Sequence, residues 1–340
     1  MKSLSKTTVG VLYAFVHFAV EVACFSFLFS RLSDEPLWVL MALSYDALAF
    51  LPQSMFGVLL DRYHRLPAGV IGCVLVIVAL LTPWDTAALM IISIGNALVH
   101  IAGAQKTLTS TGGKIAPCGI FVGGGSFGVI AGQLLAKTVL PLYVWVPILL
   151  MIVSILVIVF VMKCDTSPAV TTGFAIEREC SDDLLVTLMM SVVAARAYIG
   201  YAIPTEWNKT IAQTVMLFVS MGIGKMLGGV LADRIGYRKT TAISLLVGLP
   251  FLLCGNKLMW VSLVGVGLFS MTMSLTVAVL VSCFPKMPCF SFGITTVALF
   301  LGTVPAFFVR PTSMVAHIVI VSVLSVTAFS ALWYSIKKGC

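Results

Sequence analysis

The stretch Gly229-Val230-Leu231-Ala232-Asp233-Arg234-Ile235-Gly236-Tyr237-Arg238-Lys239 is a short basic turn between two long apolar runs. A partial copy stands in the first half of the chain as Gly57-Val58-Leu59-Leu60-Asp61-Arg62-Tyr63-His64-Arg65. The two aspartates are 172 residues apart (233 − 61), about half of the 340-residue chain. Matched turns at that spacing predict two similar halves, each organised around one of them.

The flanks of both turns decide the fold class. Sixty percent of the residues are hydrophobic and only 10% are charged, with a mean hydropathy of +1.09, whereas soluble chains carry about 25% charged residues. Lipid is therefore the expected solvent, and inside it only helices or a closed barrel satisfy their own backbone groups. The apolar runs have the length of about 20 residues that a spanning helix needs, and barrel strands alternate in shorter runs. The expectation is an all-α polytopic membrane protein with twelve transmembrane helices. They are expected near 8–30, 37–59, 67–82, 86–104, 115–138, 141–162, 184–205, 210–231, 240–255, 258–284, 289–309 and 312–335. The one sizeable polar insertion, 163–183, holds Asp165, Pro168, Glu177, Arg178, Glu179, Asp182 and Asp183. It divides the chain into a six-helix bundle over 1–162, a cytoplasmic linker over 163–183 and a second six-helix bundle over 184–340.

Basic residues set the orientation. With the N-terminus in the cytoplasm, Lys2, Lys6, Arg62, Arg65, Lys106, Lys114, Lys163, Arg178, Lys225, Arg234, Arg238, Lys239, Lys286, Lys337 and Lys338 fall inside. Arg31, Lys137, Lys209, Lys257 and Arg310 fall outside, and Arg196 lies within a span. Fifteen against five satisfies the positive-inside rule and puts both termini in the cytoplasm. The first apolar run follows Lys2 and Lys6 and is too long for a signal-peptide core, so it reads as a retained span. The net charge of +8 would suggest nucleic acid in a soluble protein. Here it sits at helix ends and suits anionic lipid headgroups, so no nucleic-acid partner is expected. The nine cysteines are scattered without metal-ligand spacing and read as free, mostly buried thiols. No metal site and no cofactor are expected.

The turn at Gly229 to Lys239 resembles the loop signature of the major facilitator superfamily, G-x-x-x-D-R-x-G-x-[RK]-[RK]. Gly229, Asp233, Arg234, Gly236, Arg238 and Lys239 all match it. The first copy keeps Gly57, Asp61, Arg62 and Arg65 and has His64 where the second glycine belongs. The resemblance implies that Asp61 and Asp233 face neighbouring helix N-termini, that Arg62 and Arg234 brace their loops, and that the set latches the cytoplasmic side of the two halves. A narrower resemblance covers spans 1, 4, 5 and 7. Asn96-Ala97-Leu98-Val99-His100-Ile101-Ala102-Gly103-Ala104, the Gly-rich run Gly123 to Gly132, His17-Phe18 and Arg196-Ala197-Tyr198-Ile199-Gly200 are similar to the fosmidomycin-resistance-type branch. That branch carries a histidine-proline pair in span 4, and here Ile101 takes the place of the proline. Gly132-Gln133 stands where drug antiporters of the superfamily have a Gly-Pro step, and span 4 lacks the arginine of many proton-coupled members.

Ionisable groups inside spans are costly and by default functional. His17 and Glu21 are spaced i, i+4 and share one helix face. With Asp46, Asn96 and Arg196 they form the candidate substrate or proton pathway. Spans 1 and 7 face each other in the superfamily, so the resemblance implies a Glu21–Arg196 pair tuned by His17. His17 and His100 each also read as plain interhelical hydrogen-bonders, and the pair as a register device. Gly124, Gly128 and Gly132 read as a small-xxx-small packing stripe. The tryptophans at 38, 84, 145, 207, 260 and 333 read as an interfacial belt.

No nucleotide loop or catalytic triad is visible, so an enzyme is not expected. The expectation is a monomeric secondary active transporter in the cell membrane. It moves a small organic substrate by alternating access, with protons or another coupling ion, and export is the favoured direction. A proton-coupled importer and a non-transporting membrane sensor on the same fold are the two alternatives.

Overall fold

A computed structural model describes residues 4–109, 111–138, 141–164, 174, 176, 181–202, 205–311 and 313–336. The described helices are α1 (Lys6–Phe27), α2 (Trp38–Phe50), α3 (Gln53–Arg62), α4 (Ala68–Leu81), α5 (Asp85–Thr109), α6 (Ala116–Leu135) and α7 (Leu142–Cys164) in the first part of the chain. They are followed by α8 (Asp182–Ala202), α9 (Ile211–Ile235), α10 (Tyr237–Thr241), α11 (Gly248–Cys254), α12 (Met259–Ser270), α13 (Thr272–Cys283), α14 (Pro288–Phe308) and α15 (Met314–Ser335). π-helical turns at Leu28–Leu32 and Ala242–Val247 extend α1 and join α10 to α11. End to end, these make twelve rods with α2–α3, α10–α11 and α12–α13 as composite ones. Ten are long and apolar enough to cross a membrane. The other two are the fourteen-residue α4 and the composite Tyr237–Cys254, interrupted by its π turn.

The chain is thus a multi-pass membrane protein, and the expected span edges lie within a few residues of the observed ones. The reason is that lipid rewards an unbroken apolar run wherever it occurs, so hydropathy and helix length report the same thing. Many large apolar side chains point outward, including Leu81, Leu149, Leu156, Trp84, Val315 and Phe308, which is where lipid would contact them. The expected linker lies mostly outside the described residues (165–173, 175 and 177–180). At its edges α7 continues to Cys164 and α8 begins at Asp182, and Phe174 and Ile176 are buried.

Helix ends follow local chemistry. Ser5 caps α1 through the Thr8 amide, and Thr210 with Gln213 forms a capping box on α9, each supplying acceptors for orphan amides. The second basic turn is tight because Gly236 takes φ +91°, directly ending α9 and starting α10, a geometry that costs glycine little. In the first turn His64 would pay for that conformation, and no residue there adopts it. Tyr63 takes φ −119° and ψ 63°, and the chain uses residues 63–67 to reach α4.

Packing places the turns. The broadest interface is α1 against α6, and the rods of the first part meet those of the second chiefly through α6 with α9 and α3 with α14. These two junctions are equivalent by the repeat: each helix that carries a basic turn lies against a helix of the other set. Close approach requires glycine at them. A Cβ on Gly57 would lie 2.6 Å from the Cys289 carbonyl oxygen, and one on Gly229 would lie 3.0 Å from the Ala116 Cα.

Candidate functional site

Both aspartates of the basic turns cross to the other set of helices. The Asp61 carboxylate accepts from the amides of Cys289 (3.0 Å) and Phe290 (2.8 Å) at the start of α14. The Asp233 carboxylate accepts from the amides of Ile115 (3.0 Å) and Ala116 (2.8 Å) at the start of α6. The first-turn amides of a helix have no intrahelical acceptor and carry its positive partial charge, so a carboxylate there is doubly favoured. The arginines differ. Arg62 stacks over the Tyr63 ring at 5.4 Å, while Arg238 donates to the Trp333 carbonyl at 3.1 Å and lies over its indole at 4.7 Å. At the opposite end of the bundle a cleft of about 270 Å³ separates α2 from α14, lined by Leu37, Leu40, Leu43 and Phe308. Arg31 bridges Asp85 and the carbonyls of Thr82 and Pro83 there, so it ties the end of α1 to the α4–α5 connection beyond its topological role.

At mid-depth, α1 and α5 bring His17, Glu21 and His100 together. Glu21 Oε1 lies 3.5 Å from His17 Nε2 and 3.2 Å from His100 Nε2, and all three residues are buried. The other ring nitrogens are committed: His17 Nδ1 is 2.9 Å from the Phe121 carbonyl and His100 Nδ1 is 3.0 Å from the Asn96 carbonyl. A carbonyl only accepts, so each Nδ1 carries the hydrogen, and a ring in its neutral form presents a lone pair at Nε2. With both rings neutral, three acceptors converge, with ligand atoms within 4.8 Å of one another. That arrangement is unfavourable until a proton or another small cation is shared among them. The donor set is the kind a metal ion would also use, assembled from two helices, so that sequence spacing reveals only the His17–Glu21 pair.

The neighbours fix this cluster. His17 packs edge-on against His100, ring centroids 4.3 Å apart, and tilted on Phe121 at 4.7 Å. Gly125 leaves room for it, because a Cβ there would sit 2.5 Å from the imidazole Cε1. Gly124, Gly128 and Gly132 face α1 at Ala14, Phe18 and Val22, while Gly123 faces Gly222 of α9. The glycine-rich helix α6 is thus pressed between α1 and α9. Asn96 Nδ2 donates to the Tyr45 hydroxyl at 2.5 Å, and its Oδ1 has no partner. Asp46 is half-buried on α2 and within electrostatic range of Glu21 and Tyr201.

Two expectations are corrected. Glu21 does not pair with Arg196; the two histidines take its carboxylate, one from its own helix and one from α5. Arg196 is buried, and its Nη2 has no hydrogen-bond partner. Lys225 does not belong to a basic helix end either. It stands ten residues before the end of α9 (235 − 225), about 15 Å along the axis, and its Nζ donates to Ser126 Oγ of α6 at 2.9 Å. Reading a lysine as a topological marker concealed it. The cue was its position, six residues inside the expected span 210–231. The tryptophans also divide: Trp84, Trp145 and Trp260 are exposed, whereas Trp207 is 8% exposed and faces inward.

The twelve rods, their two equivalent junctions and the crossed carboxylates define the major facilitator fold. Solved structures with the same fold include the human organic anion transporter MFSD10 (TETRAN), with a TM-score of 0.70 at 13% identity over 97% of this chain and 100% of that one. Another is FucP, a major facilitator superfamily transporter in the outward conformation, with a TM-score of 0.62 at 14% identity over 96% and 99%. No protein-family model matches the chain, and no curated protein matches it by sequence.

Proposed function

We propose that the chain is a secondary active transporter of the major facilitator superfamily. It moves a small organic molecule by alternating access with proton coupling, and export is the preferred direction. The observation that carries this reading is the convergence of His17 Nε2, His100 Nε2 and Glu21 Oε1 at mid-depth. A buried group of acceptors that a shared proton would stabilise supports a proton-binding site, and a bundle divided by two equivalent junctions can expose it to either side in turn. Glu21 is the principal carrier and Asp46 the secondary one.

The remaining roles follow. Residues 1–162 and 184–340 are two six-helix halves joined by the 163–183 linker, and Asp61, Arg62, Arg65, Asp233, Arg234 and Arg238 with Gly57, Gly229 and Gly236 form the latch between them. With both termini cytoplasmic in the cell membrane, the latched end is the cytoplasmic one, so the cleft at Leu37 and Phe308 opens outward. The organic anion transporter with the same fold supports an organic cargo.

The test uses purified protein in liposomes that hold a pH-sensitive dye, screened against drug-like and metabolite-like solutes. A transported solute should move protons with a fixed ratio, and an uncoupler should raise its retention in cells that export it. A solute that crosses at the same rate with and without a pH gradient, moving no protons, contradicts the coupling. Lower retention under the uncoupler contradicts export and identifies an importer, the reading that the missing proline after Gly132 favours.

A further inference from the structure

The second set of rods holds two cations that form no ion pair with a carboxylate among the described residues. Arg196 on α8 is 8% exposed, and among the described residues it makes no hydrogen bond or ion pair. Lys225 on α9 hydrogen-bonds only the neutral Ser126 hydroxyl, and it lies in electrostatic range of both Arg196 and Glu21. Both sit at mid-depth: Lys225 is about 15 Å from the turn end of its helix and Arg196 about 21 Å from the start of its own. The carboxylate nearest in the charge pattern, Glu21, is engaged by His17 and His100 on the first set of rods.

Burying a guanidinium without a counter-charge is costly, and such groups are normally paired. A second positive charge within electrostatic range compounds that cost. A device that merely held α8 in register would pair Arg196 with a protein carboxylate, and among the described residues none does so. Arginine's planar fork fits a carboxylate, sulfonate or phosphate with two parallel hydrogen bonds, and lysine adds a point charge.

We propose that Arg196 and Lys225 form the head-group site for an anionic organic substrate, with the ionised head between them and the proton cluster on the facing helices. This rests on the transporter reading above and names the substrate class of the same central region. Protons and cargo are then read by different halves: acceptors on α1 and α5 take the proton, and donors on α8 and α9 take the anion.

The test is thermal stabilisation of the full detergent-purified chain by matched pairs: benzoate, benzenesulfonate, 4-phenylbutyrate and naphthoate, each against its neutral primary amide. At least one acid should stabilise the protein while its amide does not. Arg196→Gln and Lys225→Gln should each weaken that acid at least tenfold. Arg196→Lys should recover part of the loss, and Gly200→Ala, where an added Cβ meets nothing within 4 Å, should bind the acid as wild type does. The proposal is overturned if amides protect as well as acids, if no acid protects, or if protection survives both substitutions. Gel filtration and the unliganded melting temperature establish that each variant is folded; should Arg196→Gln fail that check, Lys225→Gln and Arg196→Lys decide the matter. Anion binding without proton-linked flux would sink the transporter reading and leave this site standing, whereas proton-linked flux of neutral solutes alone would do the reverse.

Discussion

At the residue scale, the crossed aspartates carry the strongest mechanical claim. A side chain that caps a helix N-terminus contributes about 1 kcal/mol, and a carboxylate on the dipole in a partly buried place up to about 2. Asp61→Ala and Asp233→Ala should therefore each shift the balance by roughly 5–30-fold toward separation at the turn end. Spin labels on the connections 63–67 and 284–287 should report longer distances in Asp61→Ala than in wild type. Unchanged distance distributions would remove the latch. The sequence displayed these residues well, because a Gly-Asp-Arg pattern repeated at 172 residues is a local signal. It displayed the His17–Glu21–His100 cluster poorly. His17 and Glu21 share a helix face and could be paired from spacing, but His100 comes from α5, and only packing reveals that it takes the carboxylate assigned to Arg196.

At the scale of elements, the helix α6 governs how closely the bundle closes. Gly132 meets the Val22 carbonyl, where a Cβ would sit at 2.7 Å, and Gly128 meets the Phe18 carbonyl and the Glu21 side chain. Backbone cannot yield as a flexible side chain does, and overpacking of this kind costs about 1–3 kcal/mol. Gly132→Ala should lower the thermal midpoint in detergent, and Gly128→Ala should also displace Glu21. Gly200 has nothing within 4 Å of the same position, and Ala is the better helix former, so Gly200→Ala should leave the midpoint unchanged or raise it. Equal effects at Gly132 and Gly200 would contradict the packing account. The stripe at Gly124, Gly128 and Gly132 was legible from its spacing of four. The facing role of Gly123 toward α9 was not, since a run of consecutive glycines points in every direction and only the neighbouring helices say which matters.

At the scale of the whole molecule, the span edges and fold class were legible because the bilayer imposes length and apolarity on each rod. The relative placement of the rods was not, since lipid-facing and buried faces are both apolar and hydropathy cannot tell them apart. The crossed carboxylates tie the two sets of rods at the turn end, and at the other end an open groove lies between Leu37 and Phe308. Alternating access requires the reverse arrangement as well, so labels at Leu37 and Phe308 should approach one another in the same variants in which the turn end widens. The central claim is that a proton held by Glu21 drives net movement of cargo. The direct measurement compares wild type and Glu21→Gln in liposomes, with a solute identified by the screen above. Glutamine keeps the size and can still donate to one imidazole, but it carries no titrating proton. The account predicts that the variant loses accumulation driven by a pH gradient while retaining solute-for-solute exchange. Accumulation at the wild-type level in Glu21→Gln would contradict it.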